Sequence, residues 1–194
     1  MKHILIIASY GPSLINFRLS LIKKLLSEGH TVSVASPIDS FSNNLQKKLQ
    51  DLGVDINIFT LSRQGLNFFN NFQSLIGIYK IIKNVKPNII ISYTAKPAIY
   101  TGLVLKCFNK IDYYPLITGL GYSFSDRNAF KNKILKYLMI KLYREGLKRA
   151  AKVIFQNKDD QFLFFKLKII KKKTISCIVN GSGIDLNDYP LSSL

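Results

Sequence analysis

The 194-residue sequence has no tryptophan, two cysteines, two histidines and only 11 acidic residues. Cys107 and Cys177 lie in apolar segments without metal-ligand spacing. That argues against a thiolate metal site or a disulfide framework and reads both as buried fillers in a reducing compartment. His3 and His30 stand apart from each other and from any carboxylate cluster, so no metal and no Ser-His-Asp or Cys-His centre is expected. No apolar run approaches the roughly 18 to 20 residues that cross a bilayer. The opening "MKHILIIASYGP" is too short and strand-like for a signal peptide, so the expected location is cytoplasmic. Two nucleotide signatures are missing as well. "GPSLIN" after the first apolar run is not G-x-G-x-x-G, which argues against a nicotinamide or flavin dehydrogenase, and no G-x-x-x-x-G-K-[ST] exists, which removes the P-loop enzymes.

What is present in excess is positive charge. Lys and Arg number 28 against 11 Asp and Glu, a formal net charge of +17. Residues 131–173 hold 14 basic and 3 acidic residues, +11 of that total. An anionic partner is implied, either nucleic acid, phospholipid or a phosphorylated substrate, unless the lysines are simply solvated.

Short apolar runs alternate with longer amphipathic ones. Residues 3–9, 31–37, 54–61, 88–94, 113–119, 152–157 and 174–180 are β-branched-rich and bounded by turn formers, and are expected as strands. Residues 13–28, 40–52, 67–84, 97–108, 128–150 and 158–168 carry apolar residues at three- and four-residue spacing, and are expected as helices. Such alternation makes βαβ crossovers and therefore an α/β, Rossmann-like parallel sheet of about seven strands with helices on both faces. "ILIIA" and "NIIIS" are apolar without alternation, as strands buried on both faces should be.

In an open parallel sheet, ligands bind beyond the carboxyl ends of the strands, so the loops leaving the strands hold the candidates. In "SYGPSLINFR", Gly11 and Pro12 turn into a helix whose first amides suit a phosphate or sugar hydroxyl, with Asn16 and Arg18 one or two turns on; the alternative is a plain turn with Arg18 in solvent. In "YTAKPAIY", Lys96 places an ammonium beside free backbone donors at a helix start, or is merely solvated. In "TGLGYSFSDR", Gly119 and Gly121 permit close approach to the backbone and Tyr122 can stack on a ring, unless the aromatics fold into the core. In "NGSGIDLNDYP", Gly181 and Gly183 flank Ser182 in a ligand loop or a hinge.

Read in order, "SYGPSLINFRLSLIKKLLSEGHTVSVASP", "LSRQGLNFFNNF", "KPNIIISYTAKPAIYTGLVLK", "PLITGLGYSF", "KVIFQNKDD" and "IVNGSGIDLNDYP" resemble the N-terminal, acceptor-side domain of bacterial family 4 glycosyltransferases of the GT-B fold. The likeness is to enzymes that extend polyprenyl-diphosphate-linked saccharides in O-antigen, capsule or glycoprotein-glycan assembly. The resemblance implies one half of a GT-B fold, residues 1–190 being this domain and 191–194 the start of a connection to an absent C-terminal donor domain. It implies a retaining hexosyltransferase without cofactor or metal, a nucleotide-sugar donor, a lipid-linked acceptor, and a chain that is inactive alone. Carried over by position, Gly11, Asn16 and Arg18 face the interdomain cleft, and Lys96, Gly119, Gly121, Tyr122 and Ser123 line its acceptor side. Asn157, Gly181, Ser182, Gly183 and Asp185 close its floor. No catalytic base is named.

With a lipid-linked acceptor, the helix expected over 128–150 gains a reading. At 100° per residue, Ile134, Leu135, Leu138, Met139 and Leu142 form a stripe toward the sheet. The other face carries Lys133, Lys136, Lys141, Arg144 and Lys148 mixed with Tyr137, Ile140, Tyr143 and Leu147, the composition of a surface that lies on anionic lipid. Peripheral attachment to the inner face of the cytoplasmic membrane is therefore expected; packing against a second domain is the alternative. A nucleic-acid-binding module and a single-domain nucleotide-dependent enzyme remain competing readings. No recognisable nucleic-acid-reading motif accompanies the charge, so no nucleic-acid partner is expected.

Overall fold

The structure is a computed structural model that describes residues 1–61, 68–119 and 130–183. Its strands are β1 (His3–Ile7), β2 (Thr31–Pro37), β3 (Asp55–Phe59), β4 (Ile89–Tyr93), β5 (Asp112–Ile117), β6 (Val153–Phe155) and β7 (Ser176–Ile178). Its helices are α1 (Pro12–Ser27), α2 (Asn43–Gln50), α3 (Phe68–Val85), α4 (Ala95–Val104), α5 (Phe130–Gly146) and α6 (Lys158–Lys166), with short 3-10 turns following β2, α4 and α5. The seven strands form one sheet in the order β3-β2-β1-β4-β5-β6-β7, parallel throughout. The expected α/β, Rossmann-like architecture is borne out.

The strand sequences explain the two-sided core. Ile4 and Ile6 join Val32, Val34, Leu14, Ile22, Leu45 and Leu49 on the side covered by α1 and α2. Leu5 and Ile7, pointing the other way as alternation requires, join Ile90, Tyr113 and Phe155 under α3 to α6. Right-handed crossovers put helices on opposite faces when the chain runs outward from β1 in one direction and from β4 in the other. The strand order therefore reverses between β1 and β4, and the carboxyl ends of these two strands border the crevice that such a reversal creates.

The central helix α4 buries Pro97 through Gly102 and Val104. Glycine makes this possible: a methyl group at Gly102 would overlap the carbonyl oxygen of Gly146 on α5, and one at Gly146 would stand 2.7 Å from the carbonyl oxygen of Ile99. The two helices thus meet backbone to backbone. That contact sets the rotation of α5. Met139, Tyr143, Gly146 and Leu147, spaced four, three and one, face inward, and Tyr143 packs against Phe164 with ring centroids 5.1 Å apart.

The expected orientation of this helix is corrected accordingly. Tyr143 and Leu147 are 0% and 4% exposed rather than outward-facing, whereas Ile134 is 56% exposed rather than turned to the sheet. Ile140 is half-buried. Cys107, expected as a buried filler, is exposed in the 3-10 turn after α4, and both cysteines are free.

Candidate functional site

The crevice is built from α1 and from the segments leaving β1, β4, β6 and β7. Arg18, on the second turn of α1, lies there and is 5% exposed, against the alternative of a solvated side chain. One terminal nitrogen, Nη1, donates to the carbonyl of Phe17 at 2.8 Å and to Ser182 Oγ at 2.7 Å. The guanidinium carbon stands 4.7 Å from the centre of the Tyr93 ring at the end of β4, a cation–π contact. Nε is buried with no partner, and no carboxylate among the described residues pairs with the group. Burial pulls the guanidinium below its ordinary pKa, and Tyr93 opposes that shift. A buried cation without a counter-charge is costly, and a bound anion removes the cost.

Around it runs a chain of hydroxyls. Ser13 Oγ donates to the carbonyl of Tyr10 at 2.5 Å, so Tyr93 is the donor in its 2.8 Å bond to Ser13 Oγ. Burial pushes the Tyr93 phenol up to about 12, against the opposing pull of the Arg18 charge. Thr94 Oγ1 donates to Ser9 Oγ at 2.9 Å, tying the exit of β4 to that of β1. Thr94 has φ of +69°, a conformation threonine rarely adopts. Gln156 Nε2, after β6, donates to Ser182 Oγ at 3.3 Å, so Ser182 on the loop after β7 is held from two sides.

Lys96 lies in the first turn of α4, in a pocket of about 260 Å³ with Ser9, Leu61, Thr94 and Ala95, and burial lowers its pKa. Gly11 occupies its position for a packing reason: a methyl group there would stand 2.6 Å from the carbonyl oxygen of Ser40. Its amide donates to Ser40 Oγ at 2.8 Å, and the amides of Ser13 and Leu14 reach Tyr10 and Gly11 carbonyls, so these first-turn donors of α1 are used internally. Asn16 is exposed on the other side of α1, in a shallow pocket of about 210 Å³ against α2, and does not join Arg18. Asn157 caps α6: its Oδ1 accepts from the Asp160 amide at 2.7 Å. Gly119, Gly181 and Gly183 have φ of +145°, +74° and +68°, conformations that favour glycine. Gly121, Tyr122, Ser123 and Asp185 lie outside the described residues.

The structure thus brings Arg18, Ser182 and the exit of β4 together, and adds Ser13, Tyr93, Thr94 and Gln156, which the sequence reading passed over. Tyr93 carried a usable signal, an aromatic residue at the last position of a buried strand, "NIIISY". Thr94 and Gln156 carried none. Among the described residues no group of histidine, cysteine and carboxylate side chains is placed to hold a metal.

Residues 3–157 match the glycosyl transferase 4-like family. The chain belongs to that family. Over 180 residues it is 28% identical to N,N'-diacetylbacillosaminyl-diphospho-undecaprenol alpha-1,3-N-acetylgalactosaminyltransferase of Campylobacter jejuni, covering 92% of this chain and 46% of that protein. This glycosyl transferase 4-like chain therefore spans about half the length of the curated relative it matches. Its fold is also that of sucrose-phosphate synthase from Thermosynechococcus elongatus, with a TM-score of 0.64 at 10% identity over 92% of this chain and 47% of the other. Acinetobacter baumannii MurG gives 0.54 at 14% identity over 91% and 44%. At these identities the two structures speak to the fold, each being matched over less than half its length.

Proposed function

We propose that this chain is the acceptor-binding half of a glycosyltransferase that moves a sugar from a nucleotide-sugar donor to a saccharide carried on a polyprenyl diphosphate. The observation that carries the reading is Arg18, a buried guanidinium at the topological switch point of a family member, with an unpartnered Nε and no carboxylate partner among the described residues. A phosphate oxygen of the acceptor supplies the missing counter-charge, and the pocket of Ser9, Thr94 and Lys96 takes hydroxyls of the attached sugar. The name of the Campylobacter relative, which specifies a diphospho-undecaprenol-linked acceptor, supports the substrate class. A donor domain then closes over the other side of the crevice and the transfer is retaining, as the resemblance implies.

A second part of the proposal concerns placement. On the outer face of α5, Lys133 and Lys141 alternate with exposed Ile134, Tyr137 and Leu138, and Lys141 Nζ sits 4.9 Å from the centre of the Tyr137 ring. This is the stripe that rests on the inner face of the cytoplasmic membrane, where a lipid-linked acceptor resides. It keeps Lys133, Tyr137 and Lys141 of the sequence-based surface and exchanges Tyr143 and Leu147 for Ile134 and Leu138. No helix of the described residues is long and apolar enough to cross a membrane.

The test is calorimetric titration of a short-chain polyprenyl-diphosphate saccharide into the chain and into Arg18→Gln. A charge-assisted hydrogen bond contributes about 1.5–3 kcal/mol, so the variant should bind roughly ten- to a hundredfold more weakly while melting at or near the parent temperature. Equal affinity for parent and variant sinks the assignment of Arg18.

A further inference from the structure

At the other end of the sheet, where β6 and β7 begin, a cavity of about 570 Å³ opens between the last turn of α5 and the segment joining α6 to β7. Arg144 forms one wall: its Nε and Nη2 donate to the carbonyls of Lys168 and Leu167 at 2.9 and 2.6 Å, closing the end of α6. Leu147, Ile169 and Ile170 make an apolar floor continuous with the core. Around the opening stand Lys148, Lys168, Lys171 and Lys173.

The cavity carries a large excess of positive charge. Its one acidic lining residue, Glu145, is already engaged twice, by Lys106 at 2.7 Å and Lys148 at 2.5 Å. Lys168, Lys171 and Lys173 have no acidic partner among the described residues. The backbone at Lys168 and Lys171 is held in place. Lys168 has φ of +53° just after α6, a position where glycine is the usual choice, and the Arg144 bond to its carbonyl fixes it there. The turn 171–174 is closed by the Thr174 amide on the Lys171 carbonyl at 2.8 Å and by the Lys171 amide on Thr174 Oγ1 at 3.1 Å. Ile175 is exposed at the lip. Up α5 from Glu145 and Lys148, at three- and four-residue steps, come Lys141, Leu138 and Ile134, so the cavity mouth continues the helix stripe.

We infer that this cavity is a binding site for a phosphorylated anion, its phosphate held by Lys168, Lys171 and Lys173, and that the occupant is the headgroup of an anionic phospholipid. The apolar lip at Ile175 and continuity with the α5 stripe favour a lipid over a soluble phosphate, because both give an acyl chain somewhere to lie. The inference rests on the membrane-contact part of the proposed function. It adds a defined headgroup site, remote from the acceptor crevice, to a surface otherwise read as a diffuse basic face.

The test compares parent, Lys171→Gln with Lys173→Gln, and Lys133→Gln with Lys141→Gln in flotation with vesicles of phosphatidylcholine alone or with phosphatidylglycerol. The substituted side chains are exposed, and thermal unfolding by circular dichroism verifies that each variant is folded. The parent should bind only the anionic vesicles. Removing the two cavity lysines should weaken that binding about thirtyfold, from the usual contribution of a basic side chain near an anionic surface. Anionic-vesicle binding that survives in the cavity variant but not in the stripe variant overturns the headgroup site and leaves membrane contact standing. No vesicle binding by the parent overturns both, and the Arg18 titration then still decides the acceptor reading separately. Inorganic pyrophosphate that raises the melting temperature of the parent but not of the cavity variant, in the absence of vesicle binding, overturns the lipid source in favour of a soluble phosphate.

Discussion

Gly102→Ala sets two physical effects of opposite sign against each other. Gly102 lies inside α4, and replacing glycine by alanine in a helix interior ordinarily stabilises by about 1 kcal/mol. Here the added methyl group would overlap the carbonyl oxygen of Gly146 and stand 3.0 Å from the Cα of Gly146. Non-bonded carbon atoms settle at about 3.5–4.0 Å, so α4 and α5 must part by roughly 1 Å or more. Both obstructing atoms are backbone, and no rotamer change relieves them. A gap of about 0.5–1 Å already forfeits a quarter to a half of each dispersion contact. The contacts at stake are those of Ile99, Met139 and Tyr143, all in one core cluster. Overpacking costs about 1–3 kcal/mol, and a backbone clash belongs at the upper end. Offsetting helix propensity leaves a net loss of about 2 kcal/mol. For a chain of this size that lowers the melting temperature by about 4–8 °C. Thermal unfolding followed by circular dichroism measures it. A Gly102→Ala protein that melts at or above the parent temperature would show that propensity wins, and the close α4–α5 contact, with the helix rotation derived from it, would be refuted.

The crevice and the α6 cap have measurable consequences of their own. The Tyr93 phenol, pushed up to about 12 by burial, should be among the last tyrosines to titrate in the ultraviolet. Because its folded pKa is raised above the ordinary value near 10, its contribution to stability is complete below about pH 10 and is lost as pH rises through about 12. Tyr93→Phe should flatten the alkaline fall in stability over that interval; an unchanged alkaline profile contradicts the burial argument. Asn157→Ala removes the acceptor for the Asp160 amide and should cost about 1 kcal/mol, or roughly 2–4 °C in the melt. A change under about 1 °C, well below the usual contribution of such a cap, would mean that the α6 cap contributes nothing to the fold.

The alternation of strands and helices is legible in the linear chain. β-branched runs that begin 23–41 residues apart, separated by segments with three- and four-residue apolar spacing, leave a covered parallel sheet as the solution, and the boundaries of α1, α3 and α6 fall within two residues of that reading. The crossovers also set where the crevice lies, beyond the carboxyl ends of β1 and β4. The rotation of α5 was not legible, because "KILKYLMIKLYREGLK" has large apolar residues on every side and two phases satisfy the pattern about equally. Two glycines 44 positions apart decided it by letting α4 and α5 touch.

The state of Arg18 was equally hidden. In "NFRLS" an arginine reads equally as a ligand contact or as a solvated helix residue, and its burial depends on Ser182, 164 positions later, arriving over it from β7. The lysines at 168 and 171–173 were visible as charge but not as a cavity, since the opposing wall comes from the end of α5. Local periodicity is written in neighbouring residues and survives in the linear chain. The charge environment of a side chain depends on what folding brings beside it, and for Arg18 and the lysine cavity that came from distant segments.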